Sequence, residues 1–196
     1  MYNDKLDGIG HRFGPYSTEY IEYAKSLDRT LLQTYQKLEK TFKKKLTFSV
    51  FSDHSQCEQV FRVNILAELN KFGLNLGKDY LCFIDATLVL FWPQNDTKRE
   101  KIIDVLRKIK LGTLIDSDQR KNYHLNFTDN RYGEIIFVLK PGGTFFPNFF
   151  SPFSAMKGLH GYLPEEEVQN AFLISNKEPR FELTHVKDIY KLLLSI

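Results

Sequence analysis

The chain has 196 residues, a formal net charge of +3, 42% hydrophobic and 26% charged residues. These values describe one soluble globular domain with ample aromatic core material. They exclude a disordered chain and are too mildly basic to argue for a nucleic-acid-binding module; Lys43-Lys44-Lys45 reads as a solvated helix end. No apolar run reaches the roughly 18 residues of a membrane span. The polar N-terminus carries no secretory hydrophobic region, so the expected location is the cytoplasm.

Residues 1–16 hold Gly8, Gly10, Gly14 and Pro15 and read as a loop. Ser17 is a suitable N-cap, and Glu19 and Glu22 favour the first turns of a helix. Tyr20, Ala24, Leu27, Leu31, Tyr35 and Leu38 recur at helical spacing, which predicts a long amphipathic helix ending near Lys43. Leu46–Phe51 alternates and is rich in β-formers, so a strand is expected there, running straight into Ser52-Asp53-His54-Ser55. In open α/β sheets, ligands bind beyond the carboxyl ends of strands.

Residues 60–72 read as a short helix. Tyr80–Asp85 and Thr87–Trp92 read as strands, suited to an antiparallel pair, and Lys98–Ile109 as an amphipathic helix. The stretch from about 60 to 130 reads as an α+β insertion within one domain spanning 1–196. Glu134–Leu139 is an apolar run stopped by Pro141-Gly142-Gly143, which fits a buried strand. Phe172–Ile174 reads as a further strand and Val186–Leu194 as a terminal helix. Cys57 and Cys82 lack metal-type spacing and read as two reduced thiols.

Three segments carry carboxylate and imidazole groups, the ligand set of a zinc-type hydrolase. Asp7 and His11 are separated by three residues among glycines. Asp53 and His54 are adjacent; on a strand they would face opposite ways, but in a turn just past its end both can face one centre. His160 lies in Lys157-Gly-Leu-His-Gly-Tyr162, where flanking glycines allow close backbone approach. Each segment taken alone is as well explained by an ordinary surface loop. His124 and His185 have no such setting and read as surface or packing residues.

Taken together, the segments resemble the type I phosphodiesterase/nucleotide pyrophosphatase branch of the alkaline phosphatase superfamily. Asp7-Gly-Ile-Gly-His11-Arg-Phe-Gly-Pro15-Tyr-Ser17 resembles that family's Asp-x-x-Gly-His-x-x-Gly-Pro-x-Ser motif. Ser52-Asp53-His54 resembles its Ser-Asp-His-Gly motif, with Ser55 in place of the usual glycine, and His160-Gly161 resembles its C-terminal His-Gly. The resemblance implies an α/β fold, a partial alkaline-phosphatase-like three-layer sandwich with a mostly parallel sheet and helices on both faces. It implies two divalent ions, zinc in most members. Asp7, His11 and His160 would hold the first, and Asp53 and His54 would supply half of the second site.

In the family a further Asp and a nucleophilic Thr or Ser precede the first of these motifs. Only six residues precede Asp7 here, so the resemblance covers the C-terminal portion and leaves the nucleophile unassigned. The implied activity is metal-dependent hydrolysis of a phosphodiester or nucleotide. The alternative is a catalytically inactive, truncated or split-gene module that binds metal or a partner chain. An N-terminal half, in the same or another chain, would complete the domain. Phe145-Phe-Pro-Asn-Phe-Phe-Ser-Pro-Phe153 is unusually aromatic. Phe146 and Phe149 in it are candidates to stack on substrate, although Pro147 and Pro152 break any regular face and loop packing explains the segment better.

Overall fold

The computed structural model describes residues 2–194. The first sixteen residues depart from expectation: Lys5–Phe13 is a helix, α1, not a loop. Gly8 and Gly10 lie inside it. Helix interiors tolerate glycine at a cost of under about 1 kcal/mol each, and Gly10 is buried against neighbouring segments. Gly14 then takes φ 99°, which ends the helix. The Ser17 hydroxyl accepts from Tyr20 N at 3.2 Å, capping α2, Thr18–Phe42.

The strand expected over 46–51 shortens to β1, Ser49–Phe51. β2 (Cys57–Glu58) and β3 (Phe61–Val63) come next, so the helix expected over 60–72 is a strand and then a shorter helix, α3, Ile65–Asn70. Asn64 accounts for the break: its side chain accepts from Ala67 N at 3.0 Å and starts α3 only there. The chain continues through β4 (Tyr80–Ile84), β5 (Leu88–Pro93), α4 (Asp96–Lys108), β6 (Gly112–Leu114) and α5 (Ser117–Asn122). β7 (Ile135–Leu139), β8 (Gly143–Phe145), β9 (Gly158–Leu159), β10 (Leu173–Ser175) and α6 (Asp188–Leu194) complete the order.

The largest sheet has the order β4-β5-β7-β6, and every pairing in it is antiparallel. Its core follows the period of two along strands. Val89, Phe91, Ile135, Phe137 and Leu139 face Ile102 and Leu106 of α4 and Ile65 and Leu69 of α3. Leu90, Ile136 and Val138 point the other way, against Ile115, Tyr123, Leu125 and Leu163. Both faces of β7 are thus covered, which is why its sequence is apolar without alternation.

Three two-stranded ladders surround this sheet: β1 with β10 antiparallel, β2 with β9 antiparallel, and β3 with β8 parallel. Where a mostly parallel sheet was expected, β3–β8 is the one parallel ladder among the described strands. α2 has no buried residue. Its apolar stripe, with Tyr20, Leu27, Leu31 and Tyr35, faces Phe48, Val50, Phe172 and Ile174 across an open groove of about 600 Å³. No described helix is long and apolar enough to cross a membrane.

Candidate metal centre

The helical form of α1 changes how its two ligand-type residues meet. Asp7 and His11 are one turn apart on a single helix face, with Asp7 Oδ2 3.3 Å from His11 Nε2. α1 packs on β9, where Lys157 N donates to His11 O at 2.8 Å. The ladder Cys57↔Leu159 and Glu58↔Gly158 draws the 53–56 segment alongside the same strand. His160, one residue past β9, therefore stands between α1 and the Asp53-His54 turn.

The resulting distances are short. His160 Nε2 lies 3.2 Å from His11 Nε2 and 3.7 Å from Asp7 Oδ1. The ring of His54 stacks on that of His160, with centroids 3.8 Å apart and planes 18° apart. Ligand atoms of Asp7, His54 and His160 all lie within 4.8 Å of one another. His54 thus stands directly beside Asp7 and His160. Asp53 is more peripheral; its side chain is 70% exposed and its Oδ2 is 3.7 Å from His54 Nε2.

Two backbone carbonyls select the tautomers. His11 Nδ1 is 2.8 Å from Gly158 O, and His54 Nδ1 is 3.0 Å from Ser55 O. A carbonyl only accepts, so each Nδ1 carries a proton; in the neutral ring Nε2 then keeps the lone pair, which on His11 faces His160. This is the outer-shell arrangement that orients imidazoles toward a cation. His160 is held well below the ordinary histidine range, at about 4, first by burial and then by the neighbouring His54 and His11, with Asp7 and Asp53 opposing. It is a neutral base at any physiological pH. The carboxylate of Asp7 with His54 and His160 around it, and His11 Nε2 beside Asp7 and His160, is a donor set of a kind that suits zinc.

The nearby hydroxyls are differently placed. Thr144 is 1% exposed, and its hydroxyl donates toward the carbonyls of Ala86 and Phe145. Ser52 Oγ accepts from Phe172 N at 3.1 Å, tying the turn to the segment before β10. Phe146 packs under the Arg62 guanidinium, and Phe149, 70% exposed, packs on Phe83 and Phe150. These contacts belong to the flank of the antiparallel sheet, and no described ring contact links either phenylalanine to the histidines.

One residue at the cluster had no signal in the sequence. Gln56 Nε2 donates to the main-chain oxygen of Asp7 at 3.1 Å and also to Asp7 Oδ1. A lone glutamine after a motif looks like any loop residue; only the packing of α1 on β9 reveals it.

Residues 1–163 match the model of the type I phosphodiesterase/nucleotide pyrophosphatase family. The chain belongs to that family, within the alkaline phosphatase superfamily. Its fold is similar to that of human ectonucleotide pyrophosphatase/phosphodiesterase 5, with a TM-score of 0.76 at 18% identity over 96% of this chain and 50% of that one. The murine counterpart, solved as an inactive form in complex with AMP, aligns with a TM-score of 0.68 at 18% identity, covering 86% of this chain and 44% of that one. Phosphonoacetate hydrolase from Sinorhizobium meliloti, in complex with phosphonoacetate, aligns with a TM-score of 0.68 at 14% identity over 97% of this chain and 50% of that one. The chain thus spans about half the length of these structures. At such identities the likeness concerns the fold, which is alkaline-phosphatase-like α/β.

Proposed function

We propose that this chain carries most of the metal centre of a phosphoric ester hydrolase of the phosphodiesterase/nucleotide pyrophosphatase type. Asp7, His11 and His160 hold one divalent cation, zinc by preference, while Asp53 and His54 contribute to a second. The observation that carries this reading is the convergence of His11 Nε2, His160 Nε2 and the Asp7 carboxylate within 3.7 Å, with the His11 tautomer set for ligation. When bound, such cations neutralise charge on a phosphoryl group and lower the pKa of an attacking oxygen. The chain's own part is positional. α1 and β9 fix three donors before substrate arrives, so little reorganisation is left for the reaction. The closeness of His54 to His160 lets one imidazole stack serve two adjacent ions.

The attacking hydroxyl, on this reading, comes from polypeptide outside these 196 residues. Thr144 is buried and bonded to carbonyls, and Ser52 is engaged by backbone. The substrate class is a phosphodiester or nucleotide, in keeping with the family and with the AMP held by the murine structure. Phe146 and Phe149 remain weak candidates for base stacking, because their rings are already packed on Arg62 and Phe83.

A second reading, a module that binds metal or a partner chain without turnover, draws on the open groove between α2 and the β1–β10 ladder. An apolar surface of that size is where a completing segment or partner chain would sit. Zinc calorimetry on the chain tests the metal reading. Saturable binding that His11→Ala and His160→Ala each abolish supports it; no zinc binding by the folded chain ends it.

A further inference from the structure

Gln56 sits in a slot that only glycines permit. A Cβ on Gly10 would lie 2.8 Å from Gln56 Cδ, and a Cβ on Gly158 would lie 2.9 Å from Gln56 Oε1. Both distances are closer than real Cβ atoms come to a neighbour. The side-chain amide is therefore clamped between α1 and β9, at the seam on which the metal centre depends. Its Nε2 donates twice to one residue, to Asp7 O and to Asp7 Oδ1. Its Oε1 is buried without a hydrogen-bond partner. A buried orphan acceptor costs about 1–3 kcal/mol, so its retention calls for a gain elsewhere.

We infer that Gln56 is a positioning residue for Asp7. Its amide occupies Oδ1 and turns Oδ2 toward His11, so that the carboxylate offers one oxygen to a cation. The donor is neutral, which leaves the full negative charge of Asp7 for the ion; a lysine at this place would neutralise part of it. Because the amide also grips the Asp7 main-chain oxygen, it fixes the helix turn as well as the rotamer. This role rests on the metal centre proposed for Asp7, His11 and His160.

The test uses zinc alone and cobalt alone on the full chain, with Gln56→Met, Asp7→Asn and the double variant. Gln56→Met keeps the bulk and removes the donor. It should weaken zinc binding about 10- to 100-fold, the range for outer-shell partners, and shift the visible bands of bound cobalt with the far-UV circular dichroism unchanged. In the Asp7→Asn background the same change should have little further effect, because its target is gone. If the wild-type chain binds zinc and Gln56→Met binds it equally well with the same cobalt spectrum, the positioning role is wrong and the metal reading stands. If the wild-type chain binds neither ion, both fall. Should Gln56→Met fail to fold, Gln56→Asn, which withdraws the amide without introducing an apolar group, decides the matter by the same comparison.

Discussion

Replacing Gly158 by alanine should damage fold and metal centre together, and the structure indicates by how much. Gly158 has an ordinary backbone conformation, so the effect is purely one of space. A Cβ there would meet the carbonyl oxygen of Gly10 first and lie 2.8 Å from its carbonyl carbon, where ordinary contact begins at 3.4 Å, a shortfall of at least about 0.6 Å against main chain that cannot rotate away. α1 and β9 must separate. Overpacking of this kind costs about 1–3 kcal/mol, which at about 2–4 °C per kcal/mol for a chain of this size lowers Tm by about 2–12 °C. The same separation lengthens the His11 Nδ1 to Gly158 O bond and parts His11 from His160, so zinc affinity should fall at least about tenfold. Gly8→Ala is the control: it lies in the same helix with nothing within 4 Å of its would-be Cβ. That change should stabilise the chain by about 0.5–1 kcal/mol through helix propensity and leave zinc binding alone. Thermal melts of both variants, with and without zinc, make the comparison. If Gly158→Ala melts with wild type and binds zinc as tightly, the close packing of α1 on β9 is wrong.

Other outcomes concern titration and the core. His160 should remain neutral down to about pH 4 in the metal-free chain, against an ordinary value of 6.5. Its folded pKa is depressed, so the unfolded chain binds more protons between those values and stability falls as pH drops through that window. Ring-proton NMR shifts tracked from pH 8 to 4 check this, and a midpoint near 6.5 would refute it. Asp79, 3% exposed and paired with Lys98 at 2.7 Å, is held at about 2 by that pair and by Asn75 N. Its contribution should be fully present above about pH 4 and fade as pH falls toward 2, so the Tm difference between wild type and Lys98→Met should shrink over that range. Phe91→Ala, at a fully buried position facing α4, should cost about 3–5 kcal/mol in denaturant unfolding.

The parts of this molecule that were legible in its sequence are those where a local pattern decides the outcome. The periodicity of 18–42, the Ser17 cap, the β4–β5 antiparallel pair and the continuous apolar run of β7 all read directly. Two glycines and a trailing Gly-Pro make α1 look like a loop, while the packing of Gly10 on Gln56 and Gly158 that sustains the helix is a tertiary fact. The pairing of β7 with β5 and with β6 was equally hidden, since it depends on which distant segments meet. In the candidate site, Asp7, His11, Asp53, His54 and His160 could be named from residue type and motif order. Their division between two ions follows there from the resemblance, but their detailed contacts do not. That His54 stacks on His160, and that Gln56 holds Asp7, depends on the β2–β9 ladder, which two short segments about a hundred residues apart do not announce.

On the proposed function, these residues form the metal-binding part of a phosphoric ester hydrolase whose attacking group lies elsewhere. Hydrolysis of bis-p-nitrophenyl phosphate tests it most directly, measured with and without added zinc for the 196-residue chain and for a version extended upstream of Met1. Zinc-dependent turnover is expected in the extended protein, abolished by His11→Ala, with a rate lower by several orders of magnitude in the chain alone, as removal of a covalent nucleophile entails. Robust zinc-dependent turnover by the 196-residue chain itself would contradict it, and would assign the attack to a hydroxyl within this chain such as Ser52, Ser55 or Thr144.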